Sequence, residues 1–171
     1  MAASAADGTV ARVAAHMVEA FLRPNGLHGA CYYSALALRH RLSAVYGLEV
    51  DCVAGFVRLR DTAWASHAWI EHGGRRTDVS LHFPNPPLPP GPLVIAGRTV
   101  RNGVPYEYSL SPQDGTVLLD VPGPQQARRR AEHAMFLELA SGPLDAVNGY
   151  LSLAPNNLYA HLQKAWASFL A

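Results

Sequence analysis

Two adjacent glycines, Gly73 and Gly74, constrain this chain more than any other feature. They sit between a stretch of strand-forming residues, Ser66 to Glu71, and a second one, Arg76 to Leu81. A two-residue glycine turn between such stretches predicts a tight antiparallel hairpin, because glycine adopts the left-handed geometry that the turn needs. If Gly73-Gly74 is the turn, His72 pairs with Arg75. Counting back along both strands then sets Asp78 opposite Trp69 and Ser80 opposite His67. Side chains alternate between faces, so His67, Trp69, Asp78 and Ser80 share one face. His67 and Asp78 become diagonal neighbours at roughly 7–8 Å between backbones, a gap that imidazole and carboxylate can bridge.

The stretches on either side fill in a fold. Val10, Val13, Met17, Val18 and Phe21 recur at helical spacing over Thr9 to Leu22, and Arg23-Pro24-Asn25-Gly26 ends that helix in a loop. The pattern resumes from Cys31 to Tyr46, with Gly47 as its stop, so Cys31 opens a helix. Val50 to Arg60 reads as a strand. Leu93 to Val100 and Val104 to Leu110 read as two more, joined as a hairpin at Arg101-Asn102-Gly103. Between the hairpins, the proline-rich run Phe83 to Pro92 cannot donate the hydrogen bonds of a sheet interior. It is either a stiff connector or a rim of a substrate cleft. Gln125 to Leu139, Leu144 to Leu151 and Asn157 to Leu170 are helical.

Helices, then strands, then helices predict an α+β domain with an antiparallel sheet rather than alternating βαβ units. At 171 residues, 49% of them hydrophobic, the chain is expected to form one domain over 1–171: a core over 1–122 and a C-terminal helical extension over 123–171. With 16% charged residues and a net charge of +1, no basic field gathers nucleic acid or an anionic membrane. No apolar run approaches the about 20 residues that span a bilayer, and the start of the chain lacks the pattern of a signal peptide. A cytoplasmic location with free thiols is the expectation. Oligomeric state is not legible.

A thiol attacks an acyl carbon as the thiolate, so a nucleophilic cysteine needs local positive potential and a base. Cys31 at a helix N-terminus has the first, and Gly29 and Ala30 leave room for substrate. His67 is the base, and Asp78 orients it by fixing its tautomer. Trp69 either lines the acyl site or packs on the core. Cys52 reads as core, and Arg128-Arg129-Arg130 as a solvated helix face. His67, His72, His82 and Cys31 lack the spacing of a metal site, so no metal and no organic cofactor is expected. Trp166, Phe169 and Leu170 form an apolar helix edge that packs or serves dimerisation.

Cys31 at a helix start, His67 in Ser66-His67-Ala68-Trp69-Ile70-Glu71 and Asp78 in the following strand together resemble the transglutaminase-like superfamily of papain-like cysteine enzymes. Within it, the compact core from Gly29-Ala30-Cys31 to Glu71 is similar to bacterial transglutaminase-like cores and to the leader-peptide proteases of lasso-peptide biosynthesis. Thr77-Asp78-Val79-Ser80 before a proline-rich loop resembles, more weakly, arylamine N-acetyltransferases. The arginine- and glycine-rich approach to their cysteine is missing, so the likeness does not carry acetyl-CoA over.

The resemblance implies a Cys-His-Asp triad that forms a thioester on an amide or ester substrate, with a peptide or protein favoured. Peptidase, amidase, deamidase and transglutaminase outcomes stay open, a deamidase of another organism's protein among them. So does a catalytically silent papain-like scaffold that binds a peptide or protein partner. Papain-like enzymes carry an oxyanion-binding glutamine six positions before the cysteine. Asn25 holds that offset here and is the expected donor, with His28 or a backbone amide as substitutes.

Overall fold

The structure, a computed structural model, describes residues 5–170, without the side chain of Leu170. Residues 1–4, on which the signal-peptide expectation rests in part, and the Leu170 part of the apolar C-terminal edge lie outside the described residues.

Helix α1, Ala5–Met17, starts one turn earlier than its apolar stripe and widens into a π-helical turn, Val18–Leu22. Helix α2, Cys31–Tyr46, has the bounds expected from sequence, and Gly47 closes it in the left-handed conformation at φ 63°. Strands β1, Asp51–Arg58, and β2, Ala65–His72, pair antiparallel, and β3, Arg75–Thr77, returns from the Gly73-Gly74 turn. His72 pairs with Arg75, Glu71 with Arg76 and Ile70 with Thr77, the register that the double glycine predicts.

The third strand is shorter than expected. At Asp78 the chain leaves β2 and bonds instead to Val94, N–H to O at 2.8 Å and O to N–H at 3.2 Å. Val94 belongs to β4, Leu93–Ile95, which forms a two-stranded sheet with β5, Arg98–Arg101. The turn of that hairpin is Ala96-Gly97, both at positive φ, and not Arg101-Asn102-Gly103 as the sequence predicts. Gly103 serves a close approach instead: a Cβ there would lie 2.6 Å from the Pro90 carbonyl oxygen of the proline-rich run. Strand β6, Glu107–Ser109, therefore has no hairpin partner of its own. It joins the edge of β1 and completes a sheet in the order β3-β2-β1-β6.

After a 3-10 turn, Leu118–Asp120, come helices α3, Pro124–Ser141, α4, Leu144–Ser152, and α5, Leu158–Leu170. Among the described residues the protein is thus α+β, with five α-helices and two antiparallel sheets. The C-terminal helices share the main core: Phe136, Val147, Leu151 and Leu162 pack in one cluster with Val13, Phe21, Leu36 and Ile70. Each such burial contributes about 1.5–3 kcal/mol, so these helices are part of the fold rather than an appendage. Arg39 of α2 fastens the junction by donating to the carbonyls of Leu139 and Gly142, both at 2.8 Å, where α3 ends. No helix among the described residues is long and apolar enough to cross a membrane.

Candidate active site

The alternation of β2 sorts its residues by job. Ala68 and Ile70 join the core cluster that α2 enters, and on β1 the Cys52 thiol points to the Ala35 carbonyl of α2 at 3.5 Å. His67 and Trp69 take the other parity and meet Tyr108 of β6, with ring centroids 6.4 Å and 5.4 Å from it. Gly55, directly across from His67 on β1, makes this meeting possible. A Cβ at Gly55 would lie 2.5 Å from the Trp69 ring.

His67 Nε2 donates to Asp78 Oδ2 at 2.7 Å, with Asp78 1% and His67 5% exposed. The diagonal expected from the hairpin is therefore closed by the side chains. Asp78 accepts four further hydrogen bonds. Tyr108 donates its hydroxyl to Oδ2 at 2.7 Å; the Ser80 N–H, Ser80 hydroxyl and Leu81 N–H converge on Oδ1 at 3.2, 3.3 and 3.2 Å. A buried carboxylate with this many donors stays ionised. Burial pushes its pKa up, but the His67 imidazole, and after it Tyr108 and the Leu81 amide, prevail and hold it below the ordinary carboxylate value.

His67 shows the complementary balance. Burial favours its neutral form, yet Asp78 and, after it, Cys31 raise its pKa from 6.5 to about 10. With Nε2 engaged by Asp78, the nitrogen left for Cys31 is Nδ1. Cys31 is the first residue of α2, and its thiol and His67 line the same cleft of about 470 Å³. The proline-rich run forms one wall of it through Pro84, Asn85, Pro87 and Leu88, so it is a cleft rim and not only a connector.

A group whose pKa is raised on folding stabilises the fold fully below its unfolded value, and that contribution is lost as pH rises through the folded value. For His67 the window runs from about 6.5 to about 10. The melting temperature of the wild type is expected to fall toward that of His67→Gln across this window, followed by circular dichroism at pH 6.5, 8 and 10. A constant gap between the two proteins would remove the ion pair from the account.

The other expected site residues lie elsewhere. Asn25 donates its amide to the Phe21 carbonyl at 2.7 Å and is not among the cleft residues. His28 is held by its Nδ1 at the Pro84 carbonyl, 3.0 Å away. Trp69 does not line the cleft either; its indole is 4% exposed and donates to Glu71 Oε1 at 2.9 Å. It forms part of the wall behind His67. His72 and His82 are tied to separate carbonyls, those of Glu49 and Gly91. Among the described residues no group of three metal-ligating side chains occurs.

Sequence reasoning missed Tyr108, Asn85 and Arg129. Tyr108 belongs to a strand whose partner lies fifty residues earlier, and no local pattern announces that pairing. Arg129 lines the cleft although its neighbours behave as the helix face suggests: Arg128 is exposed beside Glu132, and Arg130 donates to the Leu119 carbonyl. The lining contains no aspartate or glutamate. Both of its arginines are paired with carboxylates outside it, Arg58 with Glu107 and Asp114 at 2.7 and 2.8 Å and Arg129 with Glu132 at 3.9 Å.

No protein-family model, no curated protein and no solved structure matches this chain.

Proposed function

We propose that this protein is a thiol enzyme of transglutaminase-like, papain-related type. It attacks an amide or ester carbonyl with Cys31 and passes through a thioester. The observation that carries this is the buried His67–Asp78 pair at 2.7 Å, whose imidazole lines one cleft with Cys31. His67 takes the thiol proton and holds it as an imidazolium stabilised by Asp78, then delivers it to the leaving amine or alcohol. Water or an amine then resolves the thioester, with His67 as the base for that second attack. A lining without acidic side chains, whose two arginines are each paired with a carboxylate, favours a neutral acyl donor such as a peptide segment.

Alkylation by iodoacetamide, read at each cysteine by mass spectrometry, tests this. Cys52 is the internal control, because burial pushes its thiol up to about 12. Cys31 is expected to react at pH 6 at least 100-fold faster than Cys52, and to lose most of that advantage in His67→Ala. A Cys31 as inert as Cys52 at pH 6 would instead favour a scaffold that binds a peptide or protein partner without chemistry.

A further inference from the structure

We propose that Asn85 is the side-chain oxyanion donor of this site, acting with the backbone N–H of Cys31. The inference rests on the thioester reading above. When the Cys31 thiolate adds to a carbonyl carbon, the Sγ–C bond forms and the carbonyl π pair moves onto oxygen. On collapse that pair re-forms the carbonyl and the bond to the leaving group breaks. The transient oxyanion needs donors already aimed at it. Cys31 supplies one, since the first N–H groups of a helix have no acceptor within it. Asn25 and His28 are not placed to supply the second: neither lines the cleft, and the Phe21 and Pro84 carbonyls hold the Asn25 amide and His28 Nδ1.

Asn85 lies beside Gly29, two residues before Cys31, on the lining of the same cleft. Its loop is strapped across the approach to Cys31: the Gly29 N–H donates to the Phe83 carbonyl at 2.9 Å, and His28 meets the Pro84 carbonyl at 3.0 Å. The Leu88 N–H bonds the Asn85 carbonyl at 3.1 Å and fixes the turn that presents the side chain. The carboxamide then occupies the space that a side chain at Gly29 would fill, since a Cβ there would come within 2.6 Å of Asn85 Cγ. Gly29 also has φ +63°, so only glycine allows this approach without strain. The vacancy expected to admit substrate is occupied by an amide. That amide makes no hydrogen bond to any described residue, is exposed, and lines the cleft together with Cys31.

Oxyanion stabilisation can be separated from thiol reactivity by choice of electrophile. Acylation by p-nitrophenyl acetate develops an oxyanion, whereas displacement of iodide from iodoacetamide does not. In Asn85→Ala the burst of p-nitrophenolate is expected to slow by about 100-fold, with ester KM and the rate and pH profile of Cys31 alkylation unchanged. Asn85→Asp, which brings negative charge to the same place, is expected to be slower still. Acylation of Asn85→Ala at the wild-type rate would overturn the assignment and leave the thioester reading standing. Equal losses in acylation and alkylation would also overturn it, because Asn85 would then only hold the loop. A wild type with neither a burst nor low-pH alkylation would remove the thioester reading itself.

Discussion

Asp78→Asn is expected to give a folded protein that acylates about 10⁴-fold more slowly than the wild type, the scale of loss when an imidazole is held in the wrong tautomer. The reason lies in which atoms donate. Asparagine can keep its Oδ1 under the Ser80 and Leu81 amides, where Asp78 accepts now. Its Nδ2 would then face His67 Nε2 and the Tyr108 hydroxyl, both of which donate to Asp78 Oδ2 at 2.7 Å. Donor against donor is unfavourable, so the ring shifts its proton to Nδ1, the nitrogen that must accept from Cys31. Acylation by p-nitrophenyl acetate, compared with thermal melting, checks this. A cooperative melt, lowered by the lost ion pair but less than in Asp78→Ala, together with the large kinetic loss, is the expected pair of results.

Asp78→Ala goes further. It leaves five donors of the wild-type site without an acceptor in a region where Asp78 is 1% exposed, and it strips His67 of its counter-charge. Breaking one side of such a buried pair costs about 3–5 kcal/mol. Urea denaturation should show that loss, and a loss under 1 kcal/mol would mean that water replaces the carboxylate.

Gly55 carries the second large effect. Gly55→Ala is expected to cost about 1–3 kcal/mol by overpacking, and Gly55→Val more. The new Cβ would meet the Trp69 ring at 2.5 Å and the backbone oxygen of Ser109 at 3.0 Å. Neither yields easily. The indole is fixed by its bond to Glu71 and by an edge-on contact with Tyr108 at 88°, and Ser109 is part of the β1–β6 ladder. The same displacement would move Tyr108 away from Asp78, so acylation should fall along with stability. In the double variant Gly55→Ala, Trp69→Leu, urea denaturation is expected to recover part of the difference measured against Trp69→Leu alone. No recovery would shift the conflict to Ser109 and the strand edge.

What the sequence made legible was local. Gly73-Gly74 dictates the register that joins His67 to Asp78, and Gly47 ends the helix that Cys31 begins. One turn was misplaced. The sequence signal sat at Asn102-Gly103, yet the hairpin turns at Ala96-Gly97, and Gly103 lies instead against the Pro90 carbonyl, a contact no local pattern announces. Residues that work through distant pairing were invisible. Tyr108 reaches the site because β6 adds to β1, and Asn85 reaches it because its loop is bonded across Gly29. Asn25, chosen by its offset from Cys31, bonds the Phe21 carbonyl and does not line the cleft, whereas Asn85, far along the chain from Cys31, does. An offset along the chain says nothing about which acceptor a flexible amide meets first.

Asp78 also joins the two sheets, because its backbone pairs with Val94 while its side chain receives His67 and Tyr108. The proposed nucleophile, base and orienting carboxylate all precede residue 79, yet a fragment cut there would lack the strands that hold His67 and Asp78 together. Keeping His67 in orientation takes the chain at least through Ser109, the end of the strand that delivers the Tyr108 hydroxyl, and the C-terminal helices as well, because they complete the core beneath Ile70. Anyone grafting this chemistry onto another scaffold would have to transplant two separate sheets and the residue that couples them.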